Sequence, residues 1–217
     1  MQLRSLITLA SITFVSLLSQ PVLMAETAPK LLIEDDYSTV KHPTRRAARG
    51  NWVIADGTAS VEQEEALYKK YKNHGPIMIY NVPHTDAHAV VEVKPGDCKT
   101  VVFTLDAAEG GHAFRIIFRT TSGPEKGPSS QIVTYAAKEP GAEKAKLIPL
   151  NRKDTPKLIN NEWNRIEVTV VGEDATVVVG GKTIKVSHPR IAQEKGIAKL
   201  GFSFGKLSLR KFTLEAK

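Results

Sequence analysis

Eight side chains in the middle of this chain are of the types that handle polar substrates: His88, Glu92, Asp106, His112, Arg115, Arg119, Gln131 and Tyr135. Two carboxylates about 5 to 10 Å apart across a glycosidic bond can act as acid and as base or nucleophile. Glu92 and Asp106 are the candidate pair for that work. An imidazole titrates near neutrality, so His112 or His88 can serve as a base. The guanidinium forks of Arg115 and Arg119 can grip vicinal oxygens with a geometry that an ammonium cannot copy. With the amide of Gln131 and the phenol of Tyr135, the set suits the hydroxyls of a sugar.

Such residues act together only if the fold puts them on one face. Alternate side chains of a strand point to opposite sides of a sheet, and parity therefore sorts each segment. In 112–119, Phe114, Ile116 and Phe118 form the core side, which turns Arg115 and Arg119 outward. In 100–106, Val101, Phe103 and Leu105 face in while Val102, Thr104 and Asp106 face out. In 87–94, Ala89, Val91 and Val93 are inward, leaving His88 and Glu92 outside. In 131–135, Ile132 inward sends Gln131, Val133 and Tyr135 outward. If these four strands belong to one sheet, their polar residues share one solvent-facing surface.

The wider pattern is all-β. β-Branched runs follow Trp163 and recur at Val177-Val178-Val179, with Gly180-Gly181 as a tight turn, and 196–204 and 207–214 supply two closing strands. Asp56-Gly57 marks another hairpin turn. Further strands are expected at 58–63 and 77–81. This spacing predicts an antiparallel β-sandwich rather than βαβ units. Trp52, Phe114, Phe118, Ile166 and Val168 are expected in its core. Between Ala136 and Asn161, prolines and lysines replace the strand pattern, so a long irregular excursion with a helical turn is expected there. A short helix or turn is expected at 189–195.

Residues 1–25 read as a signal peptide: Arg4, an apolar stretch from Leu6 to Leu18, a break at Pro21 and the small Ala25. The expected mature protein is then a single domain, 26–217, that is periplasmic or extracellular and has no stable membrane anchor once the leader is removed. The net charge of +7 is spread among loose lysine clusters without interleaved aromatics, so nucleic acid is not an expected partner. Cys98 is the sole cysteine, which excludes an intrachain disulfide; its turn setting marks it as structural. The run His84-Thr85-Asp86-Ala87-His88 holds two imidazoles and a carboxylate, yet it reads as a loop entering a strand. No metal or cofactor is expected.

Five places in order carry a family resemblance: Asp35-Asp36-Tyr37-Ser38; Trp52-x-Ile-x-Asp-Gly57; Gly111-His112-Ala113-Phe114-Arg115; Trp163-x-x-Ile166-x-Val168; and Gly180-Gly181-Lys182 with the closing Leu200-Gly201-Phe202. In these the chain resembles secreted 3-keto-disaccharide hydrolase-like domains, a branch of the concanavalin A-like lectin/glucanase (laminin-G-like) sandwiches. The resemblance implies a jelly-roll β-sandwich whose ligand side carries the strand of His112 and Arg115. It implies carbohydrate, a glycan or glycoside, as the partner. Two readings stand side by side: a sugar-binding or cell-envelope protein without catalysis, and a glycoside hydrolase or lyase acting on 3-keto-sugars. A structural envelope component is the third.

Overall fold

The computed structural model describes residues 29–122, 129–136, 141, 145–152 and 155–217, so the expected signal peptide lies outside the described residues. The chain runs β1 (Leu31–Asp35), β2 (Arg45–Ala48), β3 (Val53–Ala55), β4 (Thr58–Glu62), α1 (Glu65–Lys70), β5 (Ile77–His84), β6 (Ala87–Pro95), β7 (Thr100–Ala107) and β8 (His112–Arg119). It continues through β9 (Gln131–Tyr135), β10 (Leu147–Asn151), β11 (Asn164–Val171), β12 (Asp174–Val179), β13 (Lys182–Ser187), a 3-10 turn (Pro189–Ala192), β14 (Lys195–Ser203) and β15 (Lys206–Ala216). These strands form two antiparallel sheets. One has the order β13-β12-β11-β6-β15-β4-β3 with β1 added against β15; the other is β10-β9-β8-β7-β14-β5-β2.

The turns follow from residue chemistry. Asp56 and Gly57 both have positive φ (51° and 68°), as do Gly180 and Gly181 (55° and 73°), the backbone that joins two strands with their natural twist. The 3-10 turn stands where a short helix or turn is expected, with Pro189 at its start and the His188 ring accepting from the Arg190 amide.

Two expectations need correction. The excursion after Ala136 contains the edge strand β10, paired with β9 from Leu147 to Asn151. Pro149 hides it in the sequence, and an edge strand tolerates proline because its outer side needs no ladder donor. Trp52 is half-buried, packing against the rim of the core rather than inside it, with its indole N–H donating to the Ala48 carbonyl at 3.3 Å. Phe114, Phe118, Ile166 and Val168 are buried as expected.

The core lies between the sheets and is dominated by Phe103, Phe114, Phe118, Phe212, Ile116 and Ile132. At one edge it encloses a polar knot. The Asp35 carboxylate accepts from Arg45 Nη1 (2.7 and 2.8 Å), from the Tyr80 hydroxyl (2.8 Å) and from the Tyr37 amide (3.1 Å). The Tyr37 and Tyr80 hydroxyls lie 2.8 Å apart, and burial pushes both phenols well above their ordinary pKa, so both keep their protons. The acidic run Asp35-Asp36-Tyr37-Ser38 is thus a device that ties β1 to β2 and β5.

Cys98 is enclosed, and burial pushes its thiol up to about 12. The expected result with a thiol-labelling reagent at pH 8 is no reaction in the native protein and full reaction after denaturation. Rapid native labelling would show that the segment around Cys98 opens.

Candidate functional site

The outer face of the second sheet is ordered into rows by strand register. One row runs Val133, Arg115, Thr104, Lys199, Ile79 and Arg46 across β9, β8, β7, β14, β5 and β2. The next runs Gln131, Ile117, Val102, Gly201, Ile77 and Ala48. A third joins Arg119, Thr100 and Ser203. Rows two residues apart are about 6.6 Å from one another. The middle row is apolar except at Gln131, and across β8, β7 and β14 it is flanked by Arg115, Thr104 and Lys199 on one side and by Arg119, Thr100 and Ser203 on the other. Gly201 puts no side chain into this row, and a Cβ there would make only ordinary contacts, 3.5 Å to the Pro76 carbonyl oxygen and 3.7 Å to the Ile77 side chain.

This surface is a groove of about 510 Å³. Its floor includes Thr100, Val102, Thr104, Arg115, Ile117 and Gly201; Arg49, Tyr68 and the 73–76 segment wall it at the β5 end. Tyr68 belongs to α1, a helix of six residues that strand periodicity does not announce. Its Glu65–Lys69 pair, 3.1 Å at four-residue spacing, is the local signal that could have found it.

At one end of the groove a β-bulge decides the geometry. Leu105 pairs with Phe114 but Asp106 pairs with His112, so Ala113 is the extra residue. Strict alternation would send His112 into the core with Phe114. The bulge turns it outward, where its Nδ1 meets Asp106 Oδ1 at 2.7 Å. An ionised carboxylate only accepts, so Nδ1 carries the proton and Nε2 is left as the basic nitrogen. Burial disfavours the Asp106 anion, but hydrogen bonds from His112 and Lys199 outweigh it and hold the pKa below the usual carboxylate value. Tyr135 stands edge-on to the His112 ring (5.0 Å, 75°) and accepts from Arg115 Nη1 at 3.3 Å.

The sheet therefore brings together Asp106, His112, Arg115, Arg119, Gln131 and Tyr135. It does not bring in His88 and Glu92. Both project outward as parity requires, but β6 lies in the first sheet, between β11 and β15, so they occupy the opposite face of the sandwich. There His88 Nδ1 is 2.9 Å from Thr169 Oγ1, and Glu92 is held by Arg165 (3.6 Å) and Arg210. The Glu92–Asp106 pairing across one scissile bond is corrected by this placement. The reason is topological: β5, β6 and β7 follow one another in the chain yet alternate between sheets, against the usual adjacency of consecutive strands. Lys199 also stands on the outer face, and the same parity, with Ala198, Leu200 and Phe202 inward, is the signal in the sequence that marks it.

Among the described residues no group of three or more His, Cys, Asp or Glu side chains converges to hold a metal ion. No helix of the described residues is long and apolar enough to cross a membrane.

No protein-family model matches the sequence, and no curated protein matches it. Solved structures do match in shape. The β-glucanase of Bacillus licheniformis is 11% identical over 86% of this chain and 98% of its own, with a TM-score of 0.57. The carbohydrate-binding module CBM66 from Bacillus subtilis is 8% identical over 80% of this chain and 96% of its own, also at 0.57. The CBM2 module of the evolved Dit of Lactobacillus casei BL23 phage J-1 is 11% identical over 86% of this chain and 95% of its own, at the same TM-score. At such identities the likeness is one of architecture: the chain is a jelly-roll β-sandwich of two antiparallel sheets with a groove across the outer face of one of them.

Proposed function

We propose that this protein binds a glycan in the groove on the outer face of the β9-β8-β7-β14-β5 sheet. The observation that carries the reading is the banding of that face, an apolar row of Ile117, Val102, Gly201 and Ile77 between two rows of hydrogen-bonding side chains. A pyranose ring has that same division, with C–H groups on its flat faces and hydroxyls around its rim. Tyr68 adds amphipathic surface at one end, and Tyr135 backs His112 and Arg115 at the other. The fold likeness to a β-glucanase and to carbohydrate-binding modules agrees with a sugar ligand.

A catalytic version has one specific observation in its favour, the Asp106–His112 pair with a free Nε2 beside Tyr135 and Arg115. Such a base fits proton abstraction from a keto-sugar better than it fits a two-carboxylate hydrolysis, because the groove lining holds no carboxylate and Asp106 behind His112 stands alone. His112→Asn would abolish turnover of a 3-keto-glycoside while leaving glycan binding in place.

The binding reading is tested on a glycan array with wild type, Arg115→Lys and Gly201→Phe. Arg115→Lys is expected to bind about tenfold more weakly at an unchanged melting temperature, since lysine cannot reproduce the fork. Gly201→Phe, which fills the floor of the groove, is expected to bind nothing. Binding of any array glycan by Gly201→Phe as tightly as by wild type would move the site elsewhere.

A further inference from the structure

The groove is lopsided in charge. Among its lining residues Arg49, Arg115, Arg119 and Lys199 are permanent cations and none is acidic. Asp106 lies at one end and is already committed to Lys199 and His112. The two guanidiniums of β8 have no carboxylate at all among the described residues: the one hydrogen-bond acceptor of the Arg115 side chain is the neutral Tyr135 hydroxyl, and the Nε atoms of Arg115 and Arg119 are both enclosed with no partner. The opposite face of the sandwich is arranged otherwise, with Arg165 and Arg210 sharing Glu92 and Arg165 also held by Glu167. Arg115 and Arg119 thus line the groove as cations with no counter-charge among the described residues, and a ligand carrying anionic oxygens would supply one to their guanidiniums.

Taking the glycan reading above as its basis, we infer that the groove selects an anionic saccharide whose acidic groups pair with Arg115 and Arg119. These two residues are four apart on one strand, about 13 Å along it, and they stand on opposite sides of the apolar row. A sugar chain laid along that row runs across the strands with one guanidinium at each edge. In a flat two-fold ribbon the acidic substituents of consecutive sugars point to opposite edges, so one meets Arg115 and the next meets Arg119. Each forms a forked, charge-assisted pair in a partly water-excluded setting. Lys199, tied to Asp106, orients the Arg115 side of the row, while Ser203 and Thr100, hydrogen-bonded to each other, line the Arg119 side.

The test compares three oligosaccharides with one β-1,4-glucan backbone: the neutral cello-oligosaccharide, its C6-oxidised glucuronate counterpart, and its sulfate ester, with inorganic polyphosphate as a fourth probe. Calorimetric titration of wild type is expected to show the glucuronate or the sulfate bound at least tenfold more tightly than the neutral chain, with an advantage that shrinks as salt is raised. Whichever anion binds, Arg119→Gln should reduce its affinity about ten- to a hundredfold and reduce that of the neutral chain by far less, so that the preference for the acidic chain collapses. Lys182→Gln, an exposed change on the other sheet, should behave as wild type, and thermal melts of both variants should superimpose on it. Equal binding of neutral and acidic chains would overturn the charge selection and leave glycan binding standing. Polyphosphate bound as tightly as the acidic sugars would overturn the saccharide part. Absence of binding to every sugar, here and on the array, would overturn the glycan reading itself.

Discussion

Replacing Asp35 by asparagine is expected to cost about 3 to 5 kcal/mol of folding stability, the usual loss when one partner of a buried ion pair is removed. The Asp35 and Arg45 side chains are each 2% exposed, so no water stands by to solvate the guanidinium once its counter-charge is gone. The loss is compounded because the same carboxylate accepts the Tyr80 hydroxyl and the Tyr37 amide, and Tyr37 sits at positive φ (58°), a conformation that needs such support. In a domain of this size a loss of that order lowers the melting temperature by roughly 10 °C. Asparagine preserves the shape, so the deficit would be electrostatic. Adding Arg45→Met to Asp35→Asn should recover much of it by removing the orphaned charge. A single-variant loss under about 1 kcal/mol in chemical denaturation would mean that water reaches the knot.

Phe114→Ala is expected to cost a similar 3 to 5 kcal/mol, through lost transfer energy and a cavity that the rigid sheets cannot close. Phe114 is fully buried and directly follows the bulged Ala113. Its ring anchors β8 at the point where the bulge re-aims His112, so a second consequence follows. In the fraction that remains folded, the His112 imidazole should lose its fixed contact with Asp106, visible by NMR as a change in the chemical shifts of the His112 ring. A stability loss below about 1 kcal/mol would show that the Phe114 ring lies outside the core, and would invert the outward aim of Arg115 with it.

What the sequence determined by itself was everything that depends on near neighbours. The period of two sorted Arg115, Arg119, Asp106, Gln131 and Tyr135 to outward positions, and even placed His88 and Glu92 correctly as outward residues of their own strand. Asp56-Gly57 and Gly180-Gly181 declared their turns, because positive φ at two adjacent positions is a local demand. Three things were decided only by tertiary structure. Which sheet a strand joins depends on partners far along the chain; β6 pairs with β11 and β15, so Glu92 cannot meet Asp106 however well its parity is read. The bulge at Ala113 depends on a mismatch between β7 and β8 that neither strand contains alone, and it converts His112 from a core-side position to a groove residue. The groove itself, with Lys199 and Gly201 from β14 set beside β7 and walled by α1, exists because β14 from near one end of the chain and β5 and β2 from near the other join β7 in one sheet. Side-chain direction is a property of the backbone step and can be read residue by residue. Adjacency is a property of non-local hydrogen-bond pairing, and no short-range pattern encodes it.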